Sequence, residues 1–294
     1  MNLVPEKKAN PNIKRVIGVI SGKGGVGKSS VAVLLAEALV ARGMKVGLLD
    51  ADITGPSIPR LLGVDSFRAE SDGEHLIPIE SEEGIKVLSI NLFNENEDEP
   101  VIWRGPLLAS AVGQFWTDAD WGVLDYLIVD FPPGTSDIAL SAFQQIPFTG
   151  VVVVGTPQDY VSMIVSKSVK MAVMLKAPVL GFVQNMGTMI CPHCGEKVAL
   201  FDDGSKSDYR KLGLPLLADL PWRKELAQAR SIRWNALGKA VQREADNLAN
   251  EVELAIATSK SAAMSTAQEA GTDMDTGNEA NTANTASTQN TNSN

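Results

Sequence analysis

The chain is short of cysteine, histidine and positive charge, and it has no long apolar run. Its 294 residues include two cysteines and two histidines. Two thiols three positions apart, Cys191 and Cys194, cannot build the disulfide framework of a small secreted domain; they fit a reducing compartment, the cytoplasm. Lys and Arg total 26 against 35 Asp and Glu, a formal net charge of -9. That balance argues against nucleic acid as the main partner, because phosphate backbones demand clustered basic residues. No segment is long and apolar enough to span a membrane. The start, M-N-L-V-P-E-K-K, lacks the apolar core of a signal peptide. No internal repeat is visible. What remains is a chain with 44% hydrophobic residues, enough for a sizeable core in one large domain or two small ones.

The most informative stretch is Ser21 to Ser30, S-G-K-G-G-V-G-K-S-S. The β-branched run Arg15 to Ile20 before it reads as a buried strand. Val31 to Val40 after it is apolar around most of a helical wheel. A glycine-rich strand-to-helix turn can aim backbone N–H groups at an anion, at the positive end of a helix. Gly22, Gly27, Lys28 and Ser29 match G-x-x-x-x-G-K-[ST], the phosphate-binding P-loop. In that reading the backbone from Gly22 through Lys23, Gly24, Gly25, Val26 and Gly27 to Ser30 cradles phosphates. Lys28 reaches the β/γ-phosphates of ATP, and the Ser29 hydroxyl binds Mg²⁺.

Further along, Val46 to Leu49 reads as a second strand that delivers Asp50, Ala51 and Asp52 at its carboxyl end. Ligands of open α/β sheets bind there, although a strand-end Asp also caps helices. Leu76 to Ile79 and Ile85 to Ile90 read as a hairpin or a further strand, and Asn94 to Glu99 as a solvated acidic loop. Pro106, in W-R-G-P, suits the first turn of a helix to about Trp116. Tyr126 to Val129 forms a strand ending at Asp130, where a carboxylate beside the P-loop strand can hold Mg²⁺ through water. The Pro132-Pro133-Gly134 turn that follows can offer the Gly134 N–H to a γ-phosphate. Helix Ile138–Gln145, strand Val151–Val154, helix Ser162–Lys176 and strand Val179–Val183 then alternate. This order predicts a doubly wound α/β fold with a mainly parallel sheet.

Cys191-Pro192-His193-Cys194-Gly195 follows Gln184-Asn185-Met186. Two thiolates from one chain are half of what a [4Fe–4S] cluster or a structural Zn²⁺ generally takes, so a second subunit must supply the rest. A bridging iron–sulfur cluster, an inter-subunit Zn²⁺ and a metal-free thiol pair all remain open on the spacing. A last helix is expected over Ala236 to Ala257. The domain plan is a polar lead-in over 1–14, a P-loop ATPase domain over 15–258 and a disordered polar tail over 259–294, too poor in large apolar residues to offset ordering entropy.

Four stretches carry a family resemblance: K-G-G-V-G-K-S with its extra Lys23, D-A-D-I-T-G-P-S-I-P-R, D-F-P-P-G-T-S-D, and N-M followed by C-P-H-C-G. With W-R-G-P, they resemble the Mrp/ApbC-type iron–sulfur cluster carrier ATPases, within the signature-lysine, deviant Walker A group that includes MinD and ParA. The resemblance implies a homodimer in which Lys23 reaches the partner's phosphates. It makes Asp52 the switch I residue near the attacking water, lets Asp50 support the Mg²⁺ shell, and gives Asn185 the adenine edge. It implies ATP hydrolysis, a [4Fe–4S] cluster held by Cys191 and Cys194 of two subunits, and apo iron–sulfur proteins and cluster scaffold proteins as partners. Zn²⁺ is the alternative metal. A MinD/ParA-like positioning ATPase and a zinc-bridged dimeric scaffold are the competing functions. MinD-type chains end in a basic amphipathic helix for membranes, and this tail offers neither a basic face nor an apolar stripe. The chain leaves the family pattern after the cysteines, at Asp202-Asp203-Gly204-Ser205 and at Trp222-Arg223. It also lacks a Gly-x-Pro near Ile232. These departures fall on the base-side wall of the nucleotide site.

Overall fold

The structure, a computed structural model, describes residues 7–52, 55–93, 105–157, 161–201 and 213–275. Its centre is β1 (Val16–Ser21), six residues buried on both faces. Such a strand reads as an unbroken apolar run because helices cover both sides of a parallel sheet. β7 (Tyr126–Asp130) and β8 (Gly150–Gly155) flank β1, both parallel to it. Beyond β7 come β2 (Val46–Asp50), β6 (Lys86–Ser89) and the antiparallel edge strand β5 (Ile79–Glu80). Beyond β8 comes β9 (Val179–Ile190), which pairs with β11 (Leu216–Trp222) in parallel and β10 (Lys197–Ala199) antiparallel. Nine strands of the described residues thus form one mainly parallel sheet. β3 (Glu70–Ser71) and β4 (Leu76–Ile77) make a separate ribbon, so the expected hairpin region contributes both to the sheet and beside it.

Alternate residues of each central strand feed two cores. Ile17 and Val19 face the layer of α1 (Lys28–Ala41), α2 (Ile58–Leu62) and α7 (Lys239–Asp275). Val16 and Ile20 face α3 (Gly105–Thr117), α4 (Asp137–Gln145) and α5 (Val161–Met174). Helix α1 is apolar nearly all round because it lies between the sheet and α7, which places Val241, Leu248, Val252 and Ile256 in the same core. Burial on that scale, at about 25 cal/mol per Å² of apolar surface, holds the P-loop helix in place. A short helix, α6 (Lys224–Gln228), joins β11 to α7.

Two expectations about the ends change. Residues 7–14 of the lead-in dock on the domain: Ile13 is buried and bridges to Leu124, and the Trp116 indole N–H donates to the Lys8 carbonyl. The helix α7 runs on past residue 259, where the polar tail was expected to start, to Asp275. Residues 259–270 hold no glycine or proline and several alanines, so a helix nucleated by packing propagates past Ile256, its last core residue. The helix also starts at Lys239 rather than 236, after a 3₁₀ turn over Trp234–Ala236. Trp103-Arg104, the acidic Asn94 to Glu99 stretch and Asp202 to Ser205 lie outside the described residues.

Helix α1 carries one buried charge that the core does not explain. Glu37 has no solvent exposure; one carboxylate oxygen accepts the Trp234 N–H at 2.8 Å, and the other has no partner among the described residues. Burial pushes its pKa up to about 7, against the opposing pull of the Trp234 N–H, with Glu83 adding to the rise. A raised carboxyl pKa means the folded state binds the proton more tightly than the unfolded state. The stability this gives is full below the unfolded pKa, near 4.5, and is lost as pH rises through about 7. Glu37→Gln removes the titration. It is expected to stabilise the protein by on the order of 2 kcal/mol at pH 8.5 and by little at pH 5. Thermal unfolding at the two pH values checks this; an equal shift at both would contradict it.

Candidate functional site

The loop between β1 and α1 gathers the expected phosphate-binding residues at the carboxyl edge of the sheet. Gly25 and Gly27 both take left-handed backbone, φ 79°, which only glycine adopts without strain. A side chain at Gly27 would also collide with the Asn185 amide. Val26 points the other way, into the core. Residues 23–30 line one cleft with Asp52 and Pro133, while Gly22 is buried behind it. Lys23 is half-buried in the cleft wall. The loop is braced from within by the Ser21 hydroxyl, which donates to the Lys23 carbonyl at 3.1 Å.

Below the loop, β2 and β7 end side by side, with Asp50 and Asp130 in register. Both carboxylates are completely buried. Asp50 accepts from the N–H groups of Asp52, Ser57 and Ile58 at 3.1–3.2 Å and from the Ser89 hydroxyl at 3.4 Å. Asp130 accepts from Lys28 Nζ at 2.6 Å and from the Ser29 hydroxyl. Lys28 Nζ also lies 4.0 Å from Asp52. Burial, then repulsion from Asp130, raises the Asp50 pKa to about 8 against the attraction of Lys28. Asp130 is raised as well, chiefly by burial, with Lys28 and Ser29 opposing. Two desolvated carboxylates beside a serine hydroxyl, compensated by one ammonium, form an oxygen-rich set that suits a hard divalent cation. Gly134, φ 79°, donates its N–H to the Ser21 carbonyl at 2.8 Å, so that group starts engaged with β1.

A second, mainly apolar cleft joins the first at Gly27 and Ser30. Asn185, Met186, Leu220 and Trp222 wall it, with Arg223 bound through two hydrogen bonds, 3.1 and 2.7 Å, to Glu244 of α7. Asn185, expected at an adenine edge, does line this cleft. Its side-chain N–H, however, donates to the Val26 carbonyl at 2.9 Å, so it ties β9 to the P-loop. Met186 beside it takes φ 56°, unusual for a residue with a side chain. The sequence reading met Trp222-Arg223 only as a departure from pattern and missed Glu244. No local signal links Arg223 to a residue 21 positions later, because the pair forms only when α7 packs across β11. The Ser57 and Ile58 donors to Asp50 were missed too. The proline-flanked start of α2 was the available signal.

β9 does not stop at Val183 as expected but runs on to Ile190. Val183 and Gln184 still pair with β8, whereas Thr188 to Ile190 pair with β10 beyond its end. The cysteines therefore sit at the tip of a hairpin that rises from the carboxyl edge of the sheet. The turn is closed by Cys191 N–H to Glu196 O at 2.8 Å and Gly195 N–H to Cys191 O at 2.9 Å. Cys194 is exposed and Cys191 half-exposed. Backbone N–H groups of Cys194 and then His193, with the Cys194 side chain, hold the Cys191 thiol below its ordinary pKa. Thiolate is the form that binds metal. Among the described residues no three His, Cys, Asp or Glu side chains cluster around a metal-sized space. No described helix is long and apolar enough to cross a membrane.

Comparison with known proteins places the chain among relatives of known kind. A family model described as the NUBPL iron-transfer P-loop NTPase matches residues 12–257. The iron–sulfur cluster carrier protein of Clostridium perfringens is 50% identical over 226 residues, 74% of this chain and 79% of its own length. That of Methanocaldococcus jannaschii is 44% identical over 211 residues, 71% and 73% of the two chains. Among solved structures, a nucleotide-binding protein of Archaeoglobus fulgidus in complex with ADP is 37% identical with a TM-score of 0.64, covering 82% of this chain and 88% of that one. The MinD protein of Pyrococcus horikoshii, complexed with Mg-ADP, shares the fold at 20% identity and a TM-score of 0.60, over 81% and 95% of the chains. With a family model over most of its length and relatives at this identity, the chain belongs to the iron-transfer P-loop NTPase family.

Proposed function

We propose that the protein is a cytoplasmic, ATP-hydrolysing carrier that holds an iron–sulfur cluster between two copies of itself and passes it to apoproteins. The observation that carries this reading is that one strand walls the nucleotide cleft at Asn185 and ends next to a solvent-accessible thiol pair whose first member, Cys191, is acidified. Relatives are named as iron–sulfur cluster carriers, which supports cluster as the cargo. A [4Fe–4S] cluster takes four thiolates, so Cys191 and Cys194 of two subunits complete one set. Zn²⁺ accepts the same donors and is the alternative occupant.

The chemistry of the nucleotide follows from the acid nest. Ser29, Asp50 and Asp130 would hold Mg²⁺, which supplies charge neutralisation at the phosphates when bound. Lys28 leaves Asp130 to bind the β/γ-phosphates, and the P-loop N–H groups from Gly24 to Ser30 cradle the chain of phosphates. Asp52, at the mouth of the cleft, orients the attacking water. Gly134 exchanges the Ser21 carbonyl for a γ-phosphate oxygen, so the loop after β7 takes one position with ATP and another with ADP. Lys23 reaches the phosphates of the partner subunit and makes dimerisation depend on ATP. The base lies in the apolar cleft against Trp222 and Met186, with Asn185 fixing the loop rather than reading the base alone. Acceptors are apo iron–sulfur proteins, and scaffold proteins load the carrier.

Three variants test the scheme. Lys28→Ala is expected to lower ATP hydrolysis by at least about 100-fold. Turnover within twofold of wild type would remove Lys28 from the phosphates. Lys23→Ala should keep ADP binding within about tenfold but lose the dimer formed with non-hydrolysable ATP, read by sedimentation. Equal dimer fractions would make Lys23 an ordinary loop lysine. The double variant Cys191→Ala/Cys194→Ala should hydrolyse ATP yet activate no cluster-dependent apo-acceptor. Transfer by that variant at the wild-type level would overturn the carrier reading and leave a positioning ATPase.

A further inference from the structure

A separate polar cleft opens at the C-terminal end of α2 and shares no lining residue with the phosphate cleft. Arg60, Gly63 and Asp65 form one wall; Arg230, Ser231 and Arg233 form the other. The two walls are fixed to each other by the Ile232 N–H, which donates to the Leu61 carbonyl at 2.7 Å while the Ile232 side chain fills the core. Gly63 takes φ 69°, and a Cβ there would lie 3.2 Å from an Arg233 nitrogen, so glycine lets that guanidinium close on the α2 backbone. The space is about 370 Å³, against about 310 Å³ for the phosphate cleft.

The charge of this cleft runs against that of the chain. Three guanidiniums face one lining carboxylate in a protein of net charge -9. Arg233 pairs with exposed Glu82 through one terminal nitrogen, but its buried Nε has no acceptor among the described residues. The Arg60 and Arg230 side chains make no hydrogen bond or ion pair with any described residue. Converging guanidiniums repel one another, and the planar fork of each matches two oxygens of a tetrahedral or planar oxyanion. Asp65 narrows the choice. A carboxylate in the wall repels a fully deprotonated anion but accepts a hydrogen bond from one that still carries a proton, as hydrogen phosphate does near neutral pH.

We propose that this cleft is a binding site for inorganic phosphate, held by Arg60, Arg230 and Arg233, with the Ser231 hydroxyl as a neutral donor and Asp65 accepting the phosphate proton. The site is independent of the P-loop, and the test keeps the P-loop filled. The full-length protein, saturated with ADP and Mg²⁺, is titrated with sodium phosphate and separately with malonate at constant ionic strength. The arginine Nε–H signals are followed by NMR. Phosphate should shift the Arg60, Arg230 and Arg233 signals saturably, and malonate should bind at least about tenfold more weakly. Arg60→Gln/Arg230→Gln should raise the phosphate half-saturation by about tenfold or more. Arg230→Gln alone, in an exposed loop position, should raise it about threefold and serves if the double variant does not fold. Shifts that never saturate, malonate binding as tight as phosphate, or an unchanged half-saturation in the folded variant would each overturn the proposal.

Discussion

The constraint on which the rest depends is the burial of two carboxylates at the ends of adjacent strands. Asp50 and Asp130 lose all contact with solvent; burial raises the pKa of both, Asp130 adds to the rise at Asp50, and Asp52 adds to the rise at Asp130. A core does not tolerate such a pair without compensation. The chain compensates with Lys28 from the P-loop, the Ser29 and Ser89 hydroxyls, and the N–H groups of Asp52, Ser57 and Ile58. Ser89 ends strand β6 itself, and the other donors lie in the segments that follow β1 and β2. The doubly wound topology is thus what brings the nest together. In the proposed scheme, nucleotide phosphates with a divalent cation would bring the charge and the hydrogen-bonding partners that let Lys28 move.

The second organising feature is distance along β9. The strand begins in the sheet, passes the P-loop at Asn185, kinks at the left-handed Met186 and ends next to Cys191. Gln184 and Lys197 both bond Asp219 of β11, so the foot of the hairpin is fastened to the wall of the base cleft. The thiols lie just past the end of the strand that Asn185 ties to the P-loop through the Val26 carbonyl. As the proposed cargo site, an exposed hairpin tip would be open to a second subunit and to an acceptor, and the same exposure would limit the stability any single chain gives a cluster.

Much of this was legible in the sequence because the relevant signals are local. The P-loop needs glycines where φ is positive, and Gly25 and Gly27 supply them. The strands that carry Asp50 and Asp130 are short apolar runs ending in a charge, a pattern that parallel sheets impose. C-P-H-C announces a thiol pair whatever the surrounding fold. What the sequence hid depends on packing between distant segments. β9 continues past Asn185 because β10 folds back to pair with it, and Gln184-Asn185-Met186 reads locally as a strand end. The Arg223–Glu244 pair and the Glu37–Trp234 contact join α7 and its approach to the core across long stretches of chain. Helix α7 outlasts its apolar stripe because helix propensity alone carries it beyond Ile256.

The central claim is that one cluster is shared between two chains through Cys191 and Cys194. Its most direct test is anaerobic reconstitution with iron and sulfide, followed by native mass spectrometry with iron, sulfide and zinc quantitation on the same sample. The account predicts a loaded species of two chains carrying about four irons and about four sulfides. A species that carries zinc alone, or a cluster retained by a single chain, would contradict it.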